Sequence, residues 1–190
     1  DRWAVQSQQR CKQAQAENRF AKSLIPVTAA DGSVALDRDE FPRPETTMDT
    51  LGKLEPSFAA MGDYVQKGDE LSFDKKAMSV YPQVKSIPHV HHAGNSSGIV
   101  DGASAVLCAS EAWVKKHQGV KPRARVRSMA TAGDEPVIML TAPAPASELA
   151  LKKAGMTWRD IDLVEVNEAF AAVVLKFLKE TGVDPAIVNA

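Results

Sequence analysis

From residue 103 to the end of the chain, short apolar runs alternate with stretches of helical periodicity. The apolar runs have the length of buried strands and cover residues 103–109, 124–130 and 163–166. Helices are predicted over residues 111–118, 147–154 and 170–178. Strands that alternate with helices build a sheet covered by helices, so this half of the sequence predicts a layered α/β fold.

The first 102 residues follow a different pattern. Residues 1 to about 18 contain no Gly or Pro and predict a surface helix, with a stripe of small residues that favours close packing. The pair Asp31-Gly32 predicts a turn, and Thr46 followed by Asp49 predicts the start of a short helix. Residues 58–88 show no sustained period, and we expect an irregular excursion with one short helix there.

Charge and composition exclude several function classes. The 23 basic residues nearly balance the 24 acidic ones, which argues against a nucleic-acid-binding protein. Two cysteines cannot build a disulfide framework, and no apolar run reaches the ~20 residues needed to cross a bilayer. No signal-peptide pattern follows Asp1, so we expect a cytoplasmic protein. The non-methionine start and the apolar segment that stops soon after Ile187 lead us to expect a partial chain.

Two local segments could carry chemistry. The glycine- and serine-rich residues 94–98 form either a tight turn or a place where the backbone approaches a ligand, and they match neither a Walker loop nor a dinucleotide fingerprint. Asn167 stands at the end of a predicted strand, where ligands collect in open α/β sheets. Its amide could either cap the next helix or stabilise an oxyanion, and spacing alone leaves both readings open.

The histidines, the cysteines and the basic run are predicted to have structural or solvent-exposed roles and not catalytic or metal-binding ones. His89, His91 and His92 lack a clear third ligand, so we expect hydrogen-bonded histidines and no metal site. Cys11 is predicted in mid-helix and Cys108 in a buried strand, and neither has the cationic neighbour that activates a thiol. The basic run 115–127 contains no aromatic residue that could stack on bases, which favours a solvated surface.

Two segments together resemble the thiolase family. Residues 92–103 read H-A-G-N-S-S-G-I-V-D-G-A and are similar to the A-G-N-x-S-G-x-x-D-G-A stretch of thiolases. Residues 162–171 are similar to the D-x-x-E-x-N-E-A-F-A stretch. The Ala-Pro-rich residues 142–146 and the upstream residues 41–56 also resemble the family, so the resemblance covers nearly the whole chain.

The resemblance implies a thiolase-like layered α/β/α fold with an irregular loop domain, present here as a partial chain. Residues 1–28 would end the N-terminal half, residues 29–92 would form the coenzyme A-binding loop region, and residues 93–190 would begin the C-terminal half. Within the loop region, residues 58–88 form an insertion relative to compact thiolases. Leu140-Thr141-Ala142 replaces the G-x-G of many members.

The implied activity is that of an acetyl-CoA C-acyltransferase. Thiolases transfer acyl groups through a cysteine thioester and use a second cysteine as base. Cys11 and Cys108 match neither cysteine, and the family's G-H-P histidine segment is also missing, so we expect this stretch to be inactive alone. The implied substrates are acyl-CoA and coenzyme A, with no resident cofactor.

The resemblance also implies a homo-oligomer and leaves a β-oxidation partner subunit and membrane-surface contact open. The sequence leaves two alternatives to this acyltransferase activity open. One is a sterol-carrier-type thiolase, and the other is a non-catalytic α/β binding or scaffold protein of the same fold.

Site residues follow from the resemblance, position by position. Asn167 is the expected catalytic residue, holding the water of an oxyanion hole, and Glu168 would fix its geometry. Ala169 and Phe170 would line the acyl pocket. The expected coenzyme A contacts lie at the serine turn and the loop region: Ser96, Ser97, Arg43, Thr50 and Leu54. These roles require the serine turn and Asn167 to converge on one cleft.

Overall fold

The computed structural model describes all 190 residues, which form seven α-helices and one two-stranded antiparallel hairpin. The helices are α1 (Arg2–Ala16), α2 (Met48–Leu51), α3 (Ala59–Gly62), α4 (Phe73–Val80), α5 (Glu111–Lys116), α6 (Pro143–Ala154) and α7 (Ala171–Thr181). The hairpin strands are β1 (Val27–Thr28) and β2 (Val34–Leu36). Short 3-10 turns cover Ala93–Asn95, Trp158–Asp160 and Pro185–Ile187.

The core joins the first helix to the end of the chain. The apolar stripe of α7 buries Val174 and Phe177, as its helical spacing predicts. The cluster draws on α1, α6, α7 and the segments on both sides of α7: Trp3, Ala144, Val166, Val174, Phe177, Val183 and Val188. Since Trp3 packs among residues from the last fifty of the chain, the N-terminal helix is an integral part of the C-terminal core.

The predicted strands 103–109 and 124–130 are wrong. Both segments are unpaired, and Val106 and Leu107 are 85% and 80% exposed. A strand needs a neighbour for its amides and carbonyls, and neither run finds one within this chain. Of the third predicted strand, only Val164 pairs, in a single parallel bridge with Val188.

Much apolar surface is therefore uncovered. The accessible surface is 14,834 Å², against about 8,900 Å² expected for a compact monomer of this mass. Cys108 shares this exposure, which corrects the expectation that it is buried.

The helix predictions are mostly confirmed, with shifted boundaries. Ser110 caps α5, and α1 buries Ala4 and Ala14 from its small-residue stripe. Helix α2 is capped by Thr47, one residue later than predicted, because Thr50 completes a reciprocal capping pair with it. Helix α6 begins at Pro143 and not at residue 147, since proline is well suited to the first helical position.

The insertion forms a small lobe, which we define as residues 58–91. It contains two helices, α3 and α4, where one was expected. Val65 and Ser72 form an antiparallel bridge inside it, and the side chains of His89 and Asp74 pair at 2.9 Å. The irregular sequence therefore folds into a locally cross-connected unit.

Elsewhere, Leu140 has a φ of +57°, in the left-handed region that favours glycine. A glycine, which the family resemblance implies at this position in many members, would adopt this conformation without strain. None of the seven helices combines the length and the apolar character that a bilayer crossing demands.

Candidate functional site

The two family-like motifs lie against each other. The backbone amide of Ser97 donates a hydrogen bond to the carbonyl oxygen of Ala169 at 3.0 Å. Ser96 and Phe170 form an antiparallel bridge beside it. The serine turn is therefore attached to the N-E-A-F segment by backbone hydrogen bonding.

The serine turn is shaped by His92 and Asn95. The imidazole Nδ1 of His92 accepts from the Gly94 amide at 3.1 Å, and the Asn95 side-chain oxygen accepts from the His92 amide at 2.9 Å. The Ser96 hydroxyl donates to the His92 carbonyl at 2.8 Å. These bonds hold the turn in one conformation, with the His92 side chain buried beneath it.

Gly94 allows the turn to approach α2 and the residues after it. A Cβ atom at this position would lie 2.3 Å from Leu51 Cδ2 and 2.9 Å from Leu54 Cδ1. Leu54, an expected coenzyme A contact, therefore lies directly beside the serine turn. Gly98 makes a similar approach, because a Cβ atom there would lie 2.1 Å from the ring of Phe41.

Asn167 is exposed, and its side chain makes no hydrogen bond within the chain. The N-cap position of α7 belongs to Phe170, so Asn167 does not cap that helix. The backbone just before it is fixed, since the Asn189 amide group both donates to and accepts from Val166, at 2.9 and 2.8 Å. A firmly held backbone thus presents a carboxamide that the fold itself does not use.

Glu168 ties the N-E-A-F segment to α1. Its carboxylate accepts from the Trp3 indole at 2.7 Å, the Ser7 hydroxyl at 2.6 Å and the Asn189 amide at 3.1 Å. A cavity of about 50 Å³ lies between α1 and both motifs, lined in part by Ser7, Ser96 and Glu168. Sequence reasoning assigned Glu168 to fixing Asn167 but gave no sign that α1 supplies its partners.

The loop-region residues engage in local contacts. One guanidinium nitrogen of Arg43, Nη1, donates to the carbonyl oxygens of Glu40, Phe41 and Pro42 at 2.8, 2.7 and 3.2 Å. The Thr50 hydroxyl accepts from the Thr47 amide at 2.9 Å, as part of the capping pair of α2. Both side chains are solvent-exposed, and the structure does not bring either into contact with Asn167.

The three neighbouring histidines have separate environments. His89 pairs with Asp74, and His92 Nε2 lies 3.1 Å from the Asp1 carboxylate. Burial, aided by the neighbouring charge of His92, lowers the pKa of His91. No group of three or more His, Cys, Asp or Glu residues is arranged to hold a metal ion.

His91 is a neighbour of the site that the sequence reasoning did not identify. Its ring packs edge-on against Phe170 with the centroids 4.7 Å apart. Phe58 packs on the same ring at 5.9 Å. The only sequence signal was the position of His91, just before the glycine-rich turn.

Neither cysteine has the environment of an activated thiol. Burial, with a smaller effect from Asp39, raises the pKa of Cys11. Cys108 is exposed in the unpaired segment 103–109. The polar and aromatic groups that lie together here are therefore the Asn167 carboxamide, the serine turn and the rings around Phe170.

Comparison with known proteins gives a consistent result for both ends of the chain. Residues 1–70 match the family model described as thiolase, N-terminal domain, and residues 120–190 match that described as thiolase, C-terminal domain. The chain is 40% identical to an acetyl-CoA acetyltransferase of Rhizobium meliloti, over 100% of its own length and 42% of that relative. It is also 40% identical to the mitochondrial 3-ketoacyl-CoA thiolase of Bos taurus, over 100% of its own length and 41% of that relative.

Solved structures agree with these sequences. The crystal structure of human mitochondrial 3-ketoacyl-CoA thiolase superposes with a TM-score of 0.75 and 36% identity, over 100% of this chain and 41% of that one. The same human protein in complex with CoA gives the same score and identity over 40% of its chain. The chain thus spans about two fifths of the length of the proteins it matches.

Proposed function

The chain belongs to the thiolase family, and from this we propose that the protein containing it transfers acyl groups between 3-ketoacyl-CoA and coenzyme A. The observation that carries the proposal is the backbone bond from Ser97 to Ala169. It places the serine turn, expected to meet the thiol carrier, beside the segment that carries Asn167.

Asn167 is proposed as the donor that stabilises the thioester oxygen. When the bond between C2 and C3 of a 3-ketoacyl-CoA breaks, the electron pair moves into the acetyl-CoA portion and negative charge builds on its thioester oxygen. A fixed amide N–H, acting directly or through a water, lowers the energy of that charge. The exposed side chain and the fixed backbone of Val166 suit this role.

The serine turn and Leu54 are proposed to hold the pantetheine arm. Ser96 and Ser97 are small and Leu54 packs against Gly94, so the serine turn and Leu54 form one surface along which the arm would lie. Arg43 and Thr50 would meet the nucleotide end. The Nε and Nη2 atoms of Arg43 make no hydrogen bond within the chain, which leaves them available for phosphate or for stacking on adenine.

Coenzyme A enters this proposal as a substrate, and no resident cofactor is part of it. The human relative was solved in complex with CoA, which supports the substrate class. A homo-oligomer, a β-oxidation partner and a cytoplasmic location stay predictions from the sequence, and the name of the bovine relative places that protein in the mitochondrion.

The test is an assay of the full-length protein that contains these residues. Thiolysis of acetoacetyl-CoA by coenzyme A is followed by the loss of the enolate absorbance, and coenzyme A binding is measured by calorimetry. Turnover together with binding is the expected result. Binding and turnover that are both absent would instead favour a scaffold of the same fold, and the 190-residue chain alone serves as the inactive comparison.

A further inference from the structure

Both ends of the lobe contact one side chain of the N-E-A-F segment. The rings of Phe58 and Phe170 are 5.9 Å apart at 76°, and those of His91 and Phe170 are 4.7 Å apart at 83°. Both are edge-to-face arrangements, which aromatic rings prefer over stacked sandwiches. The Phe170 ring is therefore held between the first and last residues of the lobe.

A backbone bond closes the lobe at this point. The amide of Ser57 donates to the carbonyl oxygen of His91 at 2.8 Å. This bond brings the two ends together, so Phe58 and His91 hold a defined spacing. We call residues 57, 58 and 91 the neck of the lobe. Its two rings, Phe58 and His91, contact Phe170 together.

The lobe itself is internally connected and should move as one body. The rings of Tyr64 and Phe73 lie 5.8 Å apart, next to the bridge between Val65 and Ser72. Gly62 packs so closely that a Cβ atom would lie 2.5 Å from His89 Nε2 and 2.7 Å from Asp74. A displacement of the lobe would therefore be transmitted to its neck.

The ring of Phe170 can shift with the lobe while the Phe170 backbone stays in place. Its backbone is held by the bridge to Ser96 and by its place at the start of α7, whose Val174 and Phe177 are buried. The lowered pKa of His91 favours the neutral imidazole at neutral pH, which suits packing against an apolar group. The lobe can thus set the position of the Phe170 ring without altering the fold.

We propose that the lobe determines the length of acyl chain that the site accepts, through the contacts of Phe58 and His91 with the Phe170 ring. This inference rests on the proposed function, in which Phe170 lines the acyl pocket. A single methylene in an apolar pocket changes selectivity by about 10–200-fold. Because Phe58 and His91 pack on the Phe170 ring, they would set the position of that wall of the acyl pocket, and a shift worth one methylene is sufficient to discriminate short from long chains.

The experiment measures kcat/KM of the full-length protein for acetoacetyl-CoA, 3-ketooctanoyl-CoA and 3-ketopalmitoyl-CoA. Phe58→Ala and His91→Ala remove the two rings and enlarge the space around Phe170. We expect the ratio of kcat/KM for the longest substrate to that for acetoacetyl-CoA to rise about tenfold or more in each variant. Phe58→Leu and His91→Gln retain most of the volume and should give intermediate ratios with normal folding.

His117→Ala is the matched control, since His117 stacks on Trp113 at 3.9 Å and does not contact Phe170. Its ratio should equal that of the wild type. Equal changes for all three substrates, or the same ratio change in the control, would overturn the inference while leaving the proposed function standing. A wild-type protein that turns over none of the substrates would overturn both.

Discussion

The indole N–H of Trp3 donates to the carboxylate of Glu168 at 2.7 Å, joining residues 165 positions apart in the chain. The same carboxylate accepts from Ser7 and from Asn189, so three segments meet at one side chain. Glu168 directly follows Asn167, the proposed oxyanion donor. Helix α1 thereby supports the position of a residue with which it forms no hydrogen bond of its own.

Glu168→Ala should destabilise the chain. The substitution leaves the buried Trp3 indole and the Ser7 hydroxyl without an acceptor, and an unsatisfied buried donor costs about 1–3 kcal/mol. We expect the free energy of unfolding to fall by about that amount in urea titrations. Glu165→Ala is the matched control, because Glu165 is exposed and unbonded and should change stability by less than about 0.5 kcal/mol. Equal effects of the two variants would contradict the role given to Glu168.

Asn167→Ala should reduce turnover without affecting folding. Loss of one oxyanion donor lowers kcat by about 10²–10³-fold, whereas the exposed side chain contributes no hydrogen bond to the fold. The measurement is kcat for acetoacetyl-CoA thiolysis by the full-length protein, together with its thermal midpoint. Gln66→Ala, which removes another exposed carboxamide, should leave both unchanged. Full turnover in Asn167→Ala would remove this residue from the mechanism.

Gly94→Ala should disturb the serine turn and Leu54 together. The added methyl would lie 2.3 Å from Leu51 and 2.9 Å from Leu54, so both side chains must move or the turn must shift away from them. Overpacking of this kind costs about 1–3 kcal/mol, and a shifted Leu54 should also weaken coenzyme A binding. Gly102→Ala is the control, since no atom lies within 4 Å of the added methyl. Calorimetric Kd values and urea midpoints for both variants check the prediction, which fails if Gly94→Ala is as mild as Gly102→Ala.

The capping pair formed by Thr157 and Asp160 should make the free energy of unfolding depend on pH. Hydrogen bonds from the Thr157 amide, and then from its hydroxyl, lower the pKa of Asp160 in the folded state. The carboxylate therefore stabilises the fold above the unfolded-state pKa of about 3.9, and this contribution is lost as pH falls through the lower folded-state pKa. The difference in urea midpoint between wild type and Asp160→Ala should be present at neutral pH and shrink below about pH 4.

Asp162→Ala provides the comparison for this measurement, since Asp162 is exposed and makes no hydrogen bond. Its midpoint should follow that of the wild type at every pH. An Asp160→Ala difference that stayed constant down to pH 2 would show that ionisation of Asp160 does not contribute to stability.

Amides in residues 103–109 should exchange with solvent almost as fast as in an unfolded peptide. None of them donates a hydrogen bond within the chain, whereas amides of α7 are bonded and flank buried Val174. Hydrogen exchange of the 190-residue chain, followed by mass spectrometry of peptides, would compare the two segments directly. Protection of residues 103–109 equal to that of α7 would mean that they find a partner strand within this chain.

The parts of the fold that the sequence predicts well depend on local signals. Ser110 caps α5, and the spacing of Val174 and Phe177 places both on the buried face of α7. Helical hydrogen bonds close within four residues, so such signals suffice. The run 103–109 has strand-like composition, but a strand is completed only by a neighbour that the run itself cannot specify.

In the candidate site too, local motifs could be predicted from the sequence, whereas contacts between distant residues could not. The motifs around Ser97 and Asn167 are recognisable from their residues, and their contact appears only in the structure. The packing of His91 on Phe170 and the bond from Trp3 to Glu168 cross large sequence separations, and no local pattern encodes such pairs. The roles of Arg43, Thr50 and Leu54 in coenzyme A binding stay predictions.

The bonds from Arg10 to the carbonyl oxygens of Val188 and Asn189 have a consequence for biosynthesis. Helix α1 is translated before residues 144–189, which contain the residues that bury Trp3 and the carbonyl oxygens that accept from Arg10. At about 5–20 residues per second, the helix must wait on the order of ten seconds or more before it can dock. During that interval the nascent chain lacks the contacts of Trp3 with the later core residues and the bonds of Arg10 to residues 188 and 189.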